Sequence, residues 1–260
     1  MADTWRMSGF DERVELPFHL RRRFGLLSDA GAAEVHSLAH LHVPAWLRPS
    51  VGERSWPAGL AVAVAIALQF ILPRRLSLPP RELLPSLEAA LLVMLTVANP
   101  GRLIRERSSL RAASTALIAL ITLANAGSAA LLAQRLLSGH AGQTAGPLLL
   151  SGGSIYLTNV IAFGLWYWEH DRGGPFARAE ARNPYPDFLF PQMATPDIAR
   201  TDWEPHFLDY FYVSFTNATA FSPTDTMPLS RWAKTLMLTQ SLVSLVTVAL
   251  VVARAVNILK

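Results

Sequence analysis

The sequence contains no cysteine and few charged residues. The lack of cysteine excludes a disulfide scaffold, a thiolate metal site, an iron–sulfur cluster and a cysteine nucleophile. Charged residues make up 16% of the chain and hydrophobic residues 51%, whereas a typical soluble protein is about 25% charged. These proportions exclude an evenly patterned soluble domain and indicate a membrane protein. The net charge of +4 calls for no nucleic-acid partner, because basic loops are common in membrane proteins.

The hydrophobic residues are collected in long runs with almost no charge. A transmembrane helix needs roughly 20 predominantly apolar residues, and five runs qualify: 55–73, 83–101, 112–134, 146–168 and 235–253. A sixth run, 210–224, is too short and too polar to cross a bilayer, so a re-entrant piece is expected there. The sequence therefore predicts an all-α membrane protein with about five transmembrane helices and one short re-entrant helix of pore type.

These runs divide the chain into four parts. We expect an extramembrane arm at 1–54, a four-helix transmembrane region at 55–168, a polar acidic loop at 169–206 and a pore-like segment at 207–260. The chain has 23 basic residues, and 21 of them are arginine. With five spans, 17 of the 23 lie on one side of the membrane. The positive-inside rule then places the N-terminus inside the cell. Arginine in place of lysine and frequent alanine indicate a bacterial source, so we expect a multi-pass protein of the bacterial inner membrane.

Three polar residues stand out inside the predicted spans. Glu88 is the one clear acid, and an intramembrane carboxylate is a functional hypothesis by default. Its short distance from Arg81 leaves the alternative that Glu88 reaches the membrane interface. Asn125 and Asn159 have the alternative of ordinary hydrogen bonds between helices.

Carboxylates are frequent before the short helix. They are Asp187, Asp197, Asp202, Glu204 and Asp209. In a symmetric oligomer such residues form rings that attract cations to a pore mouth.

Glu169 and Asp171 follow an aromatic triplet, 166–168, at the end of the fourth predicted span. Two interpretations stay open for them. One is an interfacial aromatic belt followed by a solvated turn, and the other is a pair of cation-attracting groups at the mouth of a pore.

Residues that would carry catalysis or bind a metal are hard to find in the sequence. The best candidates for metal ligands are Glu34, His36, His40 and His42 in the arm, but solvated histidines explain this cluster better. We find no nucleophile–base pair and no phosphate-binding loop. The sequence therefore predicts no metal, no cofactor and no enzymatic activity, and an intramembrane enzyme is the last of three hypotheses.

The segment 212–228 reads Tyr-Val-Ser-Phe-Thr-Asn-Ala-Thr-Ala-Phe-Ser-Pro-Thr-Asp-Thr-Met-Pro. It resembles the pore helix and filter region of potassium channels, with Thr219 just before the filter and Asp225 just after it. The chain also resembles a group of uncharacterised bacterial multi-pass membrane proteins that end in such a segment, which share the motif at 166–175. The resemblance implies a pore module in a lipid bilayer, a homo-oligomer that is a tetramer if channel-like, and monovalent cations as the transported species.

The filter itself departs from the potassium-channel pattern. In the channels a Thr-Val-Gly-Tyr-Gly run supplies the carbonyls that replace the ion's hydration shell. Here the same positions are Ala220, Phe221, Ser222, Pro223 and Thr224. Both glycines are absent, and proline restricts its own backbone and that of the preceding residue.

Two functional hypotheses follow from this departure. The first is an altered cation pore without potassium selectivity, in which Asp225, Glu204 and Asp209 attract the ions. The second is a non-conducting membrane assembly or scaffold protein that keeps the channel-like fold. In the second hypothesis Asp225 is a turn residue that caps backbone N–H groups.

Overall fold

The computed structural model describes residues 43–98, 108–138, 145–220 and 225–259, most of which are helical. The histidine cluster of the arm and the positions Phe221 to Thr224 lie outside the described residues. The helices are α1 Trp56–Ile71, α2 Leu83–Ala98, α3 Ser108–Leu137, α4 Ala145–His170, α5 Pro175–Ala179, α6 Pro191–Ala194, α7 Phe207–Ala220 and α8 Arg231–Leu259. Two short strands, β1 Phe188–Leu189 and β2 Met227–Pro228, pair antiparallel.

Three helices are long and apolar enough to cross a membrane. They cover Ser109–Leu137, Gly146–Gly173 and Arg231–Ile258, as expected for a membrane protein of the all-α class. Helices α1 and α2 are apolar too, but each has 16 residues and is therefore about 24 Å long. That is shorter than a bilayer hydrocarbon core of about 30 Å.

Helix α4 is the centre of the bundle. It packs against α1, α3, α7 and α8, and 72% of its apolar stretch is buried, against 28% for α8. Its buried side chains include Ile155, Val160 and Leu165. A helix that is apolar on all sides and surrounded by other helices is the expected core of such a protein.

Helices α4 and α8 run antiparallel, since Tyr167 contacts Gln240 at one level and Gly152 lies close to Val251 further along. Helix α7 lies beside both and covers only part of their length. It begins next to the C-terminal end of α4 and ends at Thr219, which contacts Tyr156 near the middle of α4.

After α7 the chain returns to the end of the bundle from which α7 started. Met227 and Pro228 pair with β1 there, and the Leu229 N–H donates to the Asp187 carbonyl at 2.7 Å. Helix α8 then starts from the same end. The sequence predicted a short helical piece in the run 210–224, and the structure has a 14-residue helix at Phe207–Ala220.

The segment 169–206, predicted as a polar acidic loop, contains α5, β1 and α6 and is partly buried. Phe188 and Phe190 are buried and pack edge-on against Tyr210. The chain can turn inward directly after α4 because Gly173 and Gly174 have φ angles of +87° and +95°. A side chain at Gly174 would also meet the Glu169 carbonyl at 2.6 Å.

The close approach of α4 and α7 depends on Gly164. A Cβ atom there would lie 3.2 Å from the Phe211 Cα, so a larger side chain must push the α7 backbone away. We expect Gly164→Leu to lower the unfolding free energy by about 1–3 kcal/mol, the usual cost of overpacking. Thermal unfolding of the purified protein in detergent measures this effect.

Gly153→Leu is the matched control, because a Cβ atom at Gly153 on the same helix meets nothing within 4 Å. The control should unfold at the wild-type temperature. Equal unfolding temperatures for the two variants would contradict the proposed α4–α7 contact.

Candidate functional site

Two buried polar clusters hold α7 in place. The carboxylate cluster consists of Glu53, Asp171, Arg178, Asp187 and Tyr210 and lies at the end of the bundle where α7 begins. The amide cluster consists of Asn159, Tyr167, Ser214, Asn217 and Gln240 and lies about two turns further along α7.

Asp171 is the centre of the carboxylate cluster and is fully buried. Its Oδ1 accepts a hydrogen bond from the Asp187 N–H at 2.8 Å, and its Oδ2 accepts one from the Tyr210 hydroxyl at 2.6 Å. The Arg178 guanidinium lies over the Tyr210 ring, 5.0 Å from its centroid, and donates to the Asp171 carbonyl at 3.0 Å. A buried carboxylate needs this combination of donors and a nearby cation, because burying it unpaired is very costly.

Asp187 extends the cluster to the start of α8. Its carboxylate accepts from the Arg172 N–H at 2.9 Å and from the Trp232 indole N–H at 2.8 Å. The turn after α4 and the first turn of α8 are thus joined by one side chain.

Glu53 joins the segment before α1 to the first turn of α7. One carboxylate oxygen accepts from the Phe207 N–H at 2.5 Å, and the other accepts from the Trp168 indole at 2.6 Å. Arg178 lies 3.9 Å from the second oxygen. A negative charge at the N-terminus of a helix satisfies a free N–H group and opposes the helix dipole favourably. Glu53 is therefore a cap for α7 supplied from a distant part of the chain.

The burial of Glu169 and Asp171 differs from both interpretations of the sequence. Glu169 is 4% exposed and accepts a hydrogen bond from Ser114 at 2.8 Å, and Asp171 is not exposed at all. The turn after α4 is therefore not solvated, and neither carboxylate faces solvent at a pore mouth. The physical reason is that backbone N–H groups, hydroxyls and arginine from other segments replace water around them.

The other expected mouth residues lie closer to the surface. Glu204 and Asp209 are partly exposed and Asp225 is exposed. Asp209 accepts from the His206 N–H at 2.8 Å and so caps the start of α7. Partial burial raises the pKa of the Asp209 carboxyl, and this hydrogen bond offsets part of the rise.

The amide cluster is built around Gln240, which is fully buried. Its amide N–H donates to the Ser214 hydroxyl at 2.7 Å and to the Ser214 carbonyl at 2.9 Å. Its carbonyl accepts from the Tyr167 hydroxyl at 2.6 Å and from the Asn217 amide at 2.9 Å. One side chain of α8 thus binds α4 and α7 together.

Asn159 adds a contact between α4 and α8, because its amide donates to the Ser244 hydroxyl at 3.0 Å. Asn159 therefore makes a hydrogen bond between helices, which was one of its two interpretations from the sequence. Asn125 is buried as well.

Glu88 lies on α2 and is enclosed by other side chains. It is fully buried, and one carboxylate oxygen accepts from the Gln69 amide at 2.6 Å. The other oxygen has no hydrogen-bond partner among the described residues. Glu88 lies in the α1–α2 pair, apart from both clusters around α7.

The filter-like positions are described only at their two ends. Thr219 and Ala220 are exposed at the end of α7, and Asp225 is exposed where the described chain resumes. The Thr219 hydroxyl bonds with the Tyr156 hydroxyl at 2.9 Å. Phe221, Ser222, Pro223 and Thr224 lie outside the described residues.

Sequence reasoning missed most members of the two clusters. Gln240 was visible as a polar residue in an apolar run, but its partners were not identified. A usable signal was the spacing of Tyr210, Ser214 and Asn217, which places three polar groups on one face of α7. Glu53 gave no such signal, because its partner Phe207 is 154 positions away. Within the described ranges no group of three acidic, histidine or cysteine side chains could hold a metal ion.

The amide cluster predicts a large effect of Gln240→Leu. Leucine fills a similar volume but leaves the Tyr167 hydroxyl and the Asn217 amide without this partner, at about 1–3 kcal/mol for each unsatisfied group. We expect a lower unfolding temperature in detergent. Gln134→Leu is the matched control, since Gln134 is exposed on α3, and an equal effect of both variants would argue against the cluster.

The carboxylate cluster predicts that Asp171→Asn destabilises the protein. The amide keeps the shape of the carboxylate, but its NH2 group cannot accept a hydrogen bond, and the negative charge near Arg178 is lost. We expect a loss of about 1–3 kcal/mol, measured by thermal unfolding. Asp197→Asn, at an exposed position, should change stability by less than about 0.5 kcal/mol. A wild-type unfolding temperature for Asp171→Asn would refute the role of this carboxylate.

The side chains of both clusters are hydrogen-bonded to groups of the same chain. Comparisons of the chain with protein-family models, with curated proteins and with solved structures found no match.

Proposed function

We propose that this chain is a multi-pass inner-membrane protein with five spans, in which α4, α7 and α8 form the wall of an altered cation pore. The observation that carries the proposal is the path of the chain around α7. Helix α7 starts at one end of the bundle and stops beside Tyr156 near the middle of α4, and β2 lies back at the starting end. An outer helix, a short re-entrant helix and an inner helix in this order are the parts of a potassium-channel pore module.

The five-span topology is supported by the residues that meet at one end of the bundle. Glu53 before α1 accepts a hydrogen bond from Trp168 near the end of α4, and Ser114 in the second turn of α3 donates one to Glu169. This requires that α1 and α2 together cross and return. Helices of about 24 Å can do so when the bilayer thins locally and flanking residues extend the span.

Oligomerisation is supported by the surface that α7 leaves uncovered. Leu208, Tyr212, Phe215 and Thr219 form an exposed stripe along α7, and α8 exposes Leu238 and Leu242 as well. The end of a helix inside a bilayer needs protein or water around its free carbonyl groups, because lipid cannot hydrogen-bond them. Further copies of the chain around an axis, most simply four, would supply this environment.

The cation preference is supported by the position of Asp225. It is exposed and follows the filter-like positions directly, and Glu204 and Asp209 are partly exposed on the approach to α7. Repeated around an axis, these groups form rings of negative charge. Glu169 and Asp171 are left out of this proposal because they are buried and bonded within the protomer.

The second candidate is a non-conducting assembly protein, and the amide cluster favours it. Five buried side chains fix α7 to α4 and α8 within one protomer, as a packing element would be fixed. In this case the departures from the potassium-channel filter sequence, Phe221 and Pro223 among them, belong to a chain that does not conduct.

The first proposal predicts that Asp225→Asn lowers cation flux. Purified protein in liposomes under potassium or sodium gradients should conduct, and the variant should conduct several-fold less at low ionic strength, with a smaller difference in high salt. Asp197→Asn is the control for the loss of one exposed carboxylate away from the filter-like positions. Unchanged flux in Asp225→Asn would remove this residue from the pathway.

A double variant, Phe221→Gly with Pro223→Gly, separates the two candidates. Flux in the wild type supports the pore. If the double variant conducts and the wild type does not, the wild type is a closed channel scaffold. If neither protein conducts, the assembly protein is favoured.

A further inference from the structure

A cavity of about 590 Å³ lies between α1, α2, α3 and α4, on the side of α4 away from the amide cluster. Its wall is mostly apolar and includes Val62, Leu92, Leu95, Leu117, Ile118 and Leu165. Binding pockets for small molecules have volumes of about 300–1,000 Å³ and are lined in the same way. The cavity is therefore large enough to hold an extended apolar group.

The polar side chains of the cavity belong to the starts of α1 and α3 and the ends of α2 and α4. They are Arg54, Ser55, Thr96, Ser114 and Glu169. Glu169 is almost fully buried and already accepts a hydrogen bond from Ser114, whereas Arg54 is exposed. The accessible charge at the mouth is therefore positive and suits an anionic group.

The rim and the wall have two further features of an amphiphile site. Trp56, which is 62% exposed, lies beside Arg54, and tryptophan prefers the level of lipid headgroups. On the inner side, a Cβ atom built on Gly59 meets nothing within 4 Å, although Gly59 lines the cavity. The glycine thus leaves space that a larger residue would fill.

We propose that this cavity binds a phospholipid of the surrounding bilayer, with its anionic headgroup at Arg54 and one acyl chain along the apolar wall. The apolar lining matches the acyl chain, and the exposed Arg54 matches the phosphate. Residues of α7 and α8 do not line this cavity. The proposal therefore does not depend on whether the protein conducts ions.

Native mass spectrometry of the purified full chain tests this site. The protein is exchanged into detergent with phosphatidylglycerol or with phosphatidylcholine, and retained lipid is counted per protomer. We expect the wild type to retain phosphatidylglycerol in preference to phosphatidylcholine, and Gly59→Leu to lose it because leucine occupies the space of the acyl chain. Gly153→Leu, the same change at an open position outside the cavity, should retain it.

A second variant tests the headgroup contact without changing the cavity. Arg54→Gln should weaken phosphatidylglycerol binding about fivefold, the effect of one basic residue at an anionic lipid surface. Arg48→Gln, at an exposed arginine that does not line the cavity, should bind as the wild type does. Unchanged retention in Gly59→Leu, or equal retention of the two lipids by the wild type, would overturn the proposal.

Discussion

The burial of Asp171 at the end of α4 is the constraint on which the arrangement of α7 and α8 depends. A carboxylate removed from water must be given donors and positive charge. Asp171 obtains them from the Asp187 backbone, the Tyr210 hydroxyl and the nearby Arg178. Each partner comes from a different segment, so satisfying one carboxylate determines where the turn after α4 runs and where α7 begins. The same turn places Asp187 against Trp232 and thereby fixes the start of α8.

The two clusters differ in charge, and the proposed position of α7 in a bilayer explains the difference. Carboxylates and arginines meet at the end of α4 and the starts of α7 and α8, whereas the described side chains bonded to Gln240 are neutral amides and hydroxyls. Charged groups become more costly toward the middle of a bilayer, and neutral hydrogen bonds between helices cost much less. Charged groups therefore fix the start of α7 against the rest of the bundle, and neutral hydrogen bonds fix its second half.

The sequence predicted the parts of this fold that depend on local pattern. Runs of apolar residues located the long helices, and the shorter run at 210–224 located α7, which spans Phe207–Ala220. The buried clusters were not predictable in the same way, because the residues after Trp168 have the composition of a solvated turn. Their burial depends on partners such as Glu53 and Tyr210, which lie far away in the sequence. The polar face of α7 was the one local sign of the amide cluster.

The position of Gln240 also determines which part of α8 could move in the proposed pore. Gln240 is the tenth of 29 residues in this helix, and the segment before it is bonded to the turn after α4 and to α7. Beyond Ser244 the helix is largely exposed, and Val251 packs with Leu148 and Ile155 of α4 in an apolar cluster. Apolar contacts have no fixed direction, whereas the buried hydrogen bonds around Gln240 support one another and must break together. Opening and closing would therefore take place in the second half of α8, while α7 stays fixed in the protomer.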